Sequence, residues 1–199
     1  MAQKIDFKKE LRELYTAGKK IQRVEAGCGV FLCASGKGEP GSQAFQDAIG
    51  QLYGVAYTAK FASKLGGGID FAVPPLECLW HDDPAKIPVT QWRWELLIRV
   101  PEAIGAPQIK SAKAELLRRR GTDASGVARK IWKEGTALQT MHVGPYDGVG
   151  ATYAQLAAHA AEQGLVPKGP GHEIYLSDPR RVAPEKLRTI VRLPCSARR

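Results

Sequence analysis

No run of about eighteen apolar residues occurs in this 199-residue chain, which excludes a hydrophobic transmembrane helix. The opening MAQKIDFKKELRELY is charged from the start and lacks the apolar centre of a signal peptide. Four cysteines (Cys28, Cys33, Cys78, Cys195) form no CxxC pair and no regular spacing, so they read as reduced thiols rather than a disulfide framework. His81, His142, His159 and His172 lack ligand spacing, and no metal site is expected. The stretch ASGKGEPGS lacks the phosphate-cradling GxxxxGK[ST] spacing, and Gly66-Gly67-Gly68 lacks the dinucleotide fingerprint. His172-Glu173 has no second histidine four residues after the first, and no Gly-x-Ser-x-Gly elbow exists. The expectation is a soluble cytoplasmic protein without cofactor.

Acidic residues are also scarce: 20 against 29 Lys and Arg, for a net charge of +9. The excess sits at the ends. Residues 1–24 carry seven bases and three acids, and residues 179–199 carry seven and one, whereas the body has fifteen and sixteen. Basic ends raise affinity for phosphates without specificity. No helix-turn-helix, zinc finger or aromatic RNA-binding signature accompanies them, so no specific nucleic-acid partner is expected.

What is present has the composition of a globular protein, with 44% hydrophobic and 25% charged residues, and a length suited to one domain over 1–199. Helical spacing predicts a short helix over about 5–16. A buried strand comes next at 30–34, and then a helix capped by Ser42, with Phe45, Ile49, Leu52, Ala56 and Ala59 on one stripe, ending at Gly66. Strands are expected at 69–80 and 91–100, and a basic helix at 108–120 joins the two halves of the chain. A short strand over 128–133 and a turn at Glu134-Gly135 precede a second round: strand 137–143, a helix carrying Val149, Tyr153, Leu156 and Ala160, then strands 172–177 and 187–193. The two rounds, about 28–101 and 136–194, end alike in Ile98-Arg99-Val100-Pro101 and Val191-Arg192-Leu193-Pro194. The fold class is therefore α+β: two βαββ units about a pseudo-twofold axis, their antiparallel sheets curving around a central ligand cleft.

Aromatic residues make up only 8% of the chain, but their placement is informative. Alternation puts Trp92 and Trp94 on one strand face with Leu96 and Ile98. Tyr53 and Tyr57 lie one helical turn apart, and Trp80 stands near a strand end. Such rings with polar edges suit a flat, apolar aromatic ligand, the expected partner. On His172–Leu176, Glu173 and Tyr175 share one face and Ile174 and Leu176 the other. If the second pair meets the helices, the first points into the cleft. A carboxylate among aromatic rings has a raised pKa by desolvation and can act as a general base. Glu77 occupies the comparable strand of the first half and is the second candidate acid.

GHEIYLSDPRRVAPEKLRTIVRLP, QTMHVGPYDGV, PLECLW and QWRWELLIRVP together resemble the GyrI-like small-molecule-binding family, over nearly the whole chain. The resemblance implies the duplicated βαββ architecture shared with drug-sensing domains of transcription regulators and SOUL haem-binding proteins, here without a DNA-binding domain. One branch that the chain is similar to hydrolyses spirocyclopropane DNA alkylators of the duocarmycin and yatakemycin type. By that resemblance Glu173 orients and deprotonates the water. Tyr57, Trp80, Trp92 and Trp94 line a slot for the drug, and Tyr175 or Tyr146 holds a polar edge or Glu173 itself. Tyr53, His142 and Glu77 complete the ligand-binding candidates. The alternative is a non-catalytic binder of amphipathic or cationic aromatic compounds, with Glu173 and Glu77 as counter-charges. Inhibition of DNA gyrase by protein contact ranks last.

Overall fold

A computed structural model describes residues 4–198. Helices α1 (Phe7–Glu10) and α2 (Arg12–Tyr15) precede strand β1 (Gln22–Lys37) and the long helix α3 (Gln43–Leu65). Strands β2 (Leu76–Trp80) and β3 (Arg93–Arg99) complete the first βαββ unit, and α4 (Ala106–Arg120) leads into β4 (Ala128–Val143). Helix α5 (Val149–Glu162), β5 (Leu165–Pro167), β6 (Gly171–Tyr175) and β7 (Arg188–Ala197) complete the second. All strand pairings are antiparallel, in the order β4-β1-β3-β2-β6-β7-β5.

β4 also pairs with β7, so six strands close into a ring. Exchanging β1 with β4, β2 with β6 and β3 with β7 leaves that pairing pattern unchanged. This is the duplication expressed as topology: α3 comes after β1 as α5 comes after β4.

Local chemistry sets the boundaries. Ser42 Oγ accepts from Phe45 N–H to open α3, and Gly67, at φ +77°, lets the chain leave it. The strand expected over 69–80 forms only from Leu76, because Pro74-Pro75 has no N–H to give a ladder. The expected N-terminal helix divides at Leu11. Residues 128–133 and 137–143 belong to one strand, not two. The ladder to β1 is interrupted between Cys28↔Lys133 and Ala26↔Gly135, where Gly135 takes φ +83°, and then resumes. Glu134-Gly135 is thus a kink rather than a turn, sustained because β1 is equally long.

Paired residues in a sheet share a face, and each face of this ring has its own cover. On the outer face Leu76, Cys78, Leu96 and Ile98 pack beneath Leu52, Val55 and Ala59 of α3 and Leu116 of α4. Val191 and Leu193 pack beneath Val149, Leu156 and Ala160 of α5. The inner face is filled at one end by Ile174, Ile190, Ala137 and Met141 against Leu14, Tyr15 and Ala17, and at the other by Phe31, Cys33, Leu79 and Leu97. The N-terminal segment is therefore a plug for the ring.

Candidate functional site

Strands β2 and β6 lie side by side at the pseudo-twofold axis, with Cys78 opposite Glu173, Glu77 opposite Ile174, Leu79 opposite His172 and Trp80 opposite Gly171. Cys78 and Glu173 face outward, together with Trp80, Tyr175 and, across β3, Trp94. Glu77 and His172 face inward. The two candidate carboxylates are thus on opposite sides of the sheet. Glu77 is offset by one residue from the position that matches Glu173, and one residue of offset reverses a strand's face.

The inward site is a saturated polar network. Tyr15 donates to Glu77 Oε1 at 2.7 Å, and His172 bridges Glu77 (3.0 Å) and Glu134 (2.9 Å) through its two nitrogens. Arg192 donates to Glu134 Oε2 at 2.8 Å, to Gln139 Oε1 at 2.9 and 3.0 Å, and to the Leu14 carbonyl at 2.6 Å. Burial works against a charged His172, but the Glu134 carboxylate and the hydrogen bonds to Glu134 and Glu77 outweigh it and raise its pKa to about 9. Burial likewise penalises the Glu134 anion, yet His172 and Arg192 hold it down at about 2. The adjoining cavity of about 10 Å³ has room for no more than a water. This network ties the N-terminal plug to the ring.

The outward site is the reverse. Glu173 is 8% exposed, and Tyr175 donates to its Oε2 at 3.0 Å. Burial raises its pKa to about 7, against the Tyr175 hydroxyl, the Trp80 indole and the charge of His172, which favour the anion. The Trp80 indole N–H nevertheless forms no hydrogen bond of full geometry. Nor do the Trp94 indole, the Tyr153 hydroxyl and the Thr189 hydroxyl. These are the buried unpartnered side-chain polar atoms among the described residues, and all four lie on the outward face. Trp80 is opposite Trp94, Thr189 is opposite Tyr175, and Tyr153 of α5 stands over Gly171, where an added Cβ would meet its hydroxyl at 2.7 Å. A buried hydroxyl without a partner costs about 1–3 kcal/mol, so these four groups are donors that the rest of the protein leaves uncommitted.

The other expected residues distribute unevenly. Trp80 stacks on Phe45 (centroids 5.9 Å apart) and meets Trp92 edge-on at 5.8 Å, while Trp94 meets Phe45 edge-on at 5.1 Å. Trp94 is only 2% exposed and lies across Gly36, where a Cβ would strike the indole at 2.3 Å, so it is mainly core. The Trp92 indole donates to the Ile87 carbonyl at 2.8 Å. Tyr53, Tyr57 and Phe61 stack along α3 with spacings of 6.1 and 6.4 Å, and Tyr57 is 45% exposed. Tyr146 sits edge-on to Tyr175 at 5.6 Å, its pKa raised by burial and by the charges of Glu173 and Asp178. His142 uses both nitrogens on its own turn, to Thr152 Oγ1 (2.9 Å) and the Pro145 carbonyl (3.0 Å). It braces the start of α5.

In sequence Tyr153 is only one member of a helix stripe. In the structure its pKa is raised well above the ordinary value by burial and then by the charge of Glu173. No sequence pattern links residue 153 to residue 171; the link comes from α5 crossing β6.

The chain belongs to the GyrI-like small-molecule-binding family, whose model matches residues 30–195. Among solved structures it is similar to an uncharacterized conserved protein from Listeria innocua, at 36% identity and a TM-score of 0.91 over 97% of this chain and 100% of that one. It is also similar to a hydrolase from Listeria innocua, at 37% identity and a TM-score of 0.88 over 97% and 100% of the two chains. A further structure of a hydrolase from that organism has 35% identity and a TM-score of 0.89 over 98% and 100%. No curated protein matches. Among the described residues no group of three or more His, Cys, Asp or Glu could hold a metal ion, and no helix is long and apolar enough to cross a membrane.

Proposed function

We propose that this protein is a hydrolase that opens the cyclopropane ring of spirocyclopropane DNA alkylators of the duocarmycin and yatakemycin type, detoxifying them. The observation that carries this reading is Glu173: a buried carboxyl with a pKa raised to about 7, set among aromatic rings and unpartnered donors. At neutral pH such a group is about half ionised and can take a proton from water. Similarity at 35–37% identity to structures of hydrolases supports the reaction class.

The chemistry asks little more. The Glu173 carboxylate removes a proton from a water whose oxygen bonds to the cyclopropane methylene. The ring C–C bond breaks, and its electron pair passes through the dienone to the carbonyl oxygen, giving a phenolate. Protonation of that oxygen leaves an alcohol and a phenol, a net gain of one water. Aromatisation drives the opening, so positioning and one base suffice. Trp80, Tyr146 and Tyr175 form the flat walls around Glu173, and Tyr53 and Tyr57 extend them along α3. Glu77 and His142 have no part in the slot, since their polar atoms are engaged elsewhere.

Mass spectrometry of a duocarmycin-type compound incubated with the protein tests this. The expected result is a protein-dependent gain of one water that Glu173→Gln abolishes while the variant still binds the compound. Saturable binding with the compound recovered intact would instead make the outward site a receptor for amphipathic or cationic aromatic molecules, with Glu173 as counter-charge.

A further inference from the structure

We infer that Tyr153 is a further catalytic residue, whose hydroxyl donates a hydrogen bond to the dienone oxygen as it becomes phenolate. The inference rests on the hydrolase reading above and assigns the donor that reaction needs. Three features single out this tyrosine. Its hydroxyl is buried and has no partner within the protein. It stands over Gly171, the one residue of β6 that lacks a side chain to displace it, at the position opposite Trp80. It is also close enough to Glu173 for that carboxylate's charge to act on it.

The alternatives on this face are less suited. Tyr175 spends its proton on Glu173 at 3.0 Å and so serves the base. The Thr189 hydroxyl lies at the base of β7, opposite Tyr175, and Trp94 is sealed beneath Phe45. Tyr146 is 38% exposed, so water competes for its hydroxyl. A buried donor not committed to another protein group needs little reorganisation when charge develops at a substrate oxygen placed against it, and it acts more strongly on the phenolate than on the neutral dienone. Base and donor then approach the substrate from different elements, Glu173 from β6 and Tyr153 from α5, as addition at the methylene and charge build-up at the distant carbonyl require.

Steady-state hydrolysis of a duocarmycin-type spirocyclopropane by wild type, Tyr153→Phe and Gly171→Ala tests the assignment. Tyr153→Phe keeps the ring and is expected to lower kcat about 100-fold with KM changed less than about threefold. Gly171→Ala keeps the phenol but drives a methyl group into its hydroxyl, and kcat is expected to fall at least about tenfold. It also decides the matter if Tyr153→Phe does not fold. Wild-type turnover with kcat of either folded variant within about twofold of wild type would overturn the role of Tyr153 and leave Glu173 untouched. Wild-type protein that returns the compound unchanged would overturn the hydrolase reading, and this inference with it.

Discussion

Glu77 and Glu173 stand one strand apart at the centre of the same sheet, and because they face opposite ways they differ in almost every other respect. The inward carboxylate accepts from Tyr15 and His172 within a network whose members are matched, donor to acceptor, through Glu134, Arg192 and Gln139. The outward carboxyl has Tyr175 for company and a surround of buried donors without partners. A protein gains stability by satisfying its buried polar groups, so the first arrangement belongs to the fold. The second costs stability, and it is the face to which the proposed reading assigns the chemistry.

The largest expected effect on this comparison is from Glu173→Gln, which should lower hydrolysis by at least about 10²–10⁴-fold, the usual worth of a positioned base, as measured by product formation. The same change should stabilise the protein. A carboxyl whose pKa rises from 4.5 to about 7 on folding favours the folded state fully below pH 4.5 and loses that advantage as pH climbs through 7. Thermal or urea denaturation at pH 8 should therefore find the Gln variant more stable by about 2–4 kcal/mol.

Arg192→Met probes the other side. It leaves Glu134 short of one of its two cationic partners inside the ring and should cost about 3–5 kcal/mol in urea unfolding, with turnover per folded molecule nearly unchanged. His172 gives the network a pH signature of opposite origin. Its pKa is raised from 6.5 to about 9, so its stabilising contribution is complete below pH 6.5 and disappears as pH rises through 9. Denaturation midpoints should fall across that window. In kinetics, kcat/KM should rise with pH through about 7 as Glu173 ionises, and level off above it.

The smallest effect is expected from Tyr175→Phe. Its hydroxyl favours the Glu173 anion, so losing it should push the midpoint of that pH profile upward and reduce the rate at pH 7 several-fold, with recovery at higher pH. A pH–rate profile of the variant reads this directly.

Much of the fold was legible because its signals are local. Ser42 and Gly66 bound α3, the matching Ile98–Pro101 and Val191–Pro194 segments disclose the duplication, and alternation correctly separates Glu173 and Tyr175 from Ile174. The site was legible only along each strand. Parity within β2 gives the face of Glu77 relative to Leu76, but not relative to β6, since that depends on register between strands far apart in sequence. Gly135 carries the same residue preference for a kink as for a turn, and the length of β1 decides between them. Tyr153 over Gly171 is a tertiary contact with no pattern of its own. His142 carries functional-looking chemistry, yet Thr152 and the Pro145 carbonyl occupy it.

The most direct test pairs Glu173→Gln with Glu77→Gln and reads both hydrolysis of a spirocyclopropane and stability at pH 8. The expected outcome is a crossing. Glu173→Gln should be inactive and more stable than wild type, while Glu77→Gln, which loses a charged partner of His172, should be active when folded and less stable by about 1–3 kcal/mol. A folded Glu77→Gln protein without activity, beside a Glu173→Gln protein that still adds water to the ring, would contradict the division of the sheet into a structural face and a working one.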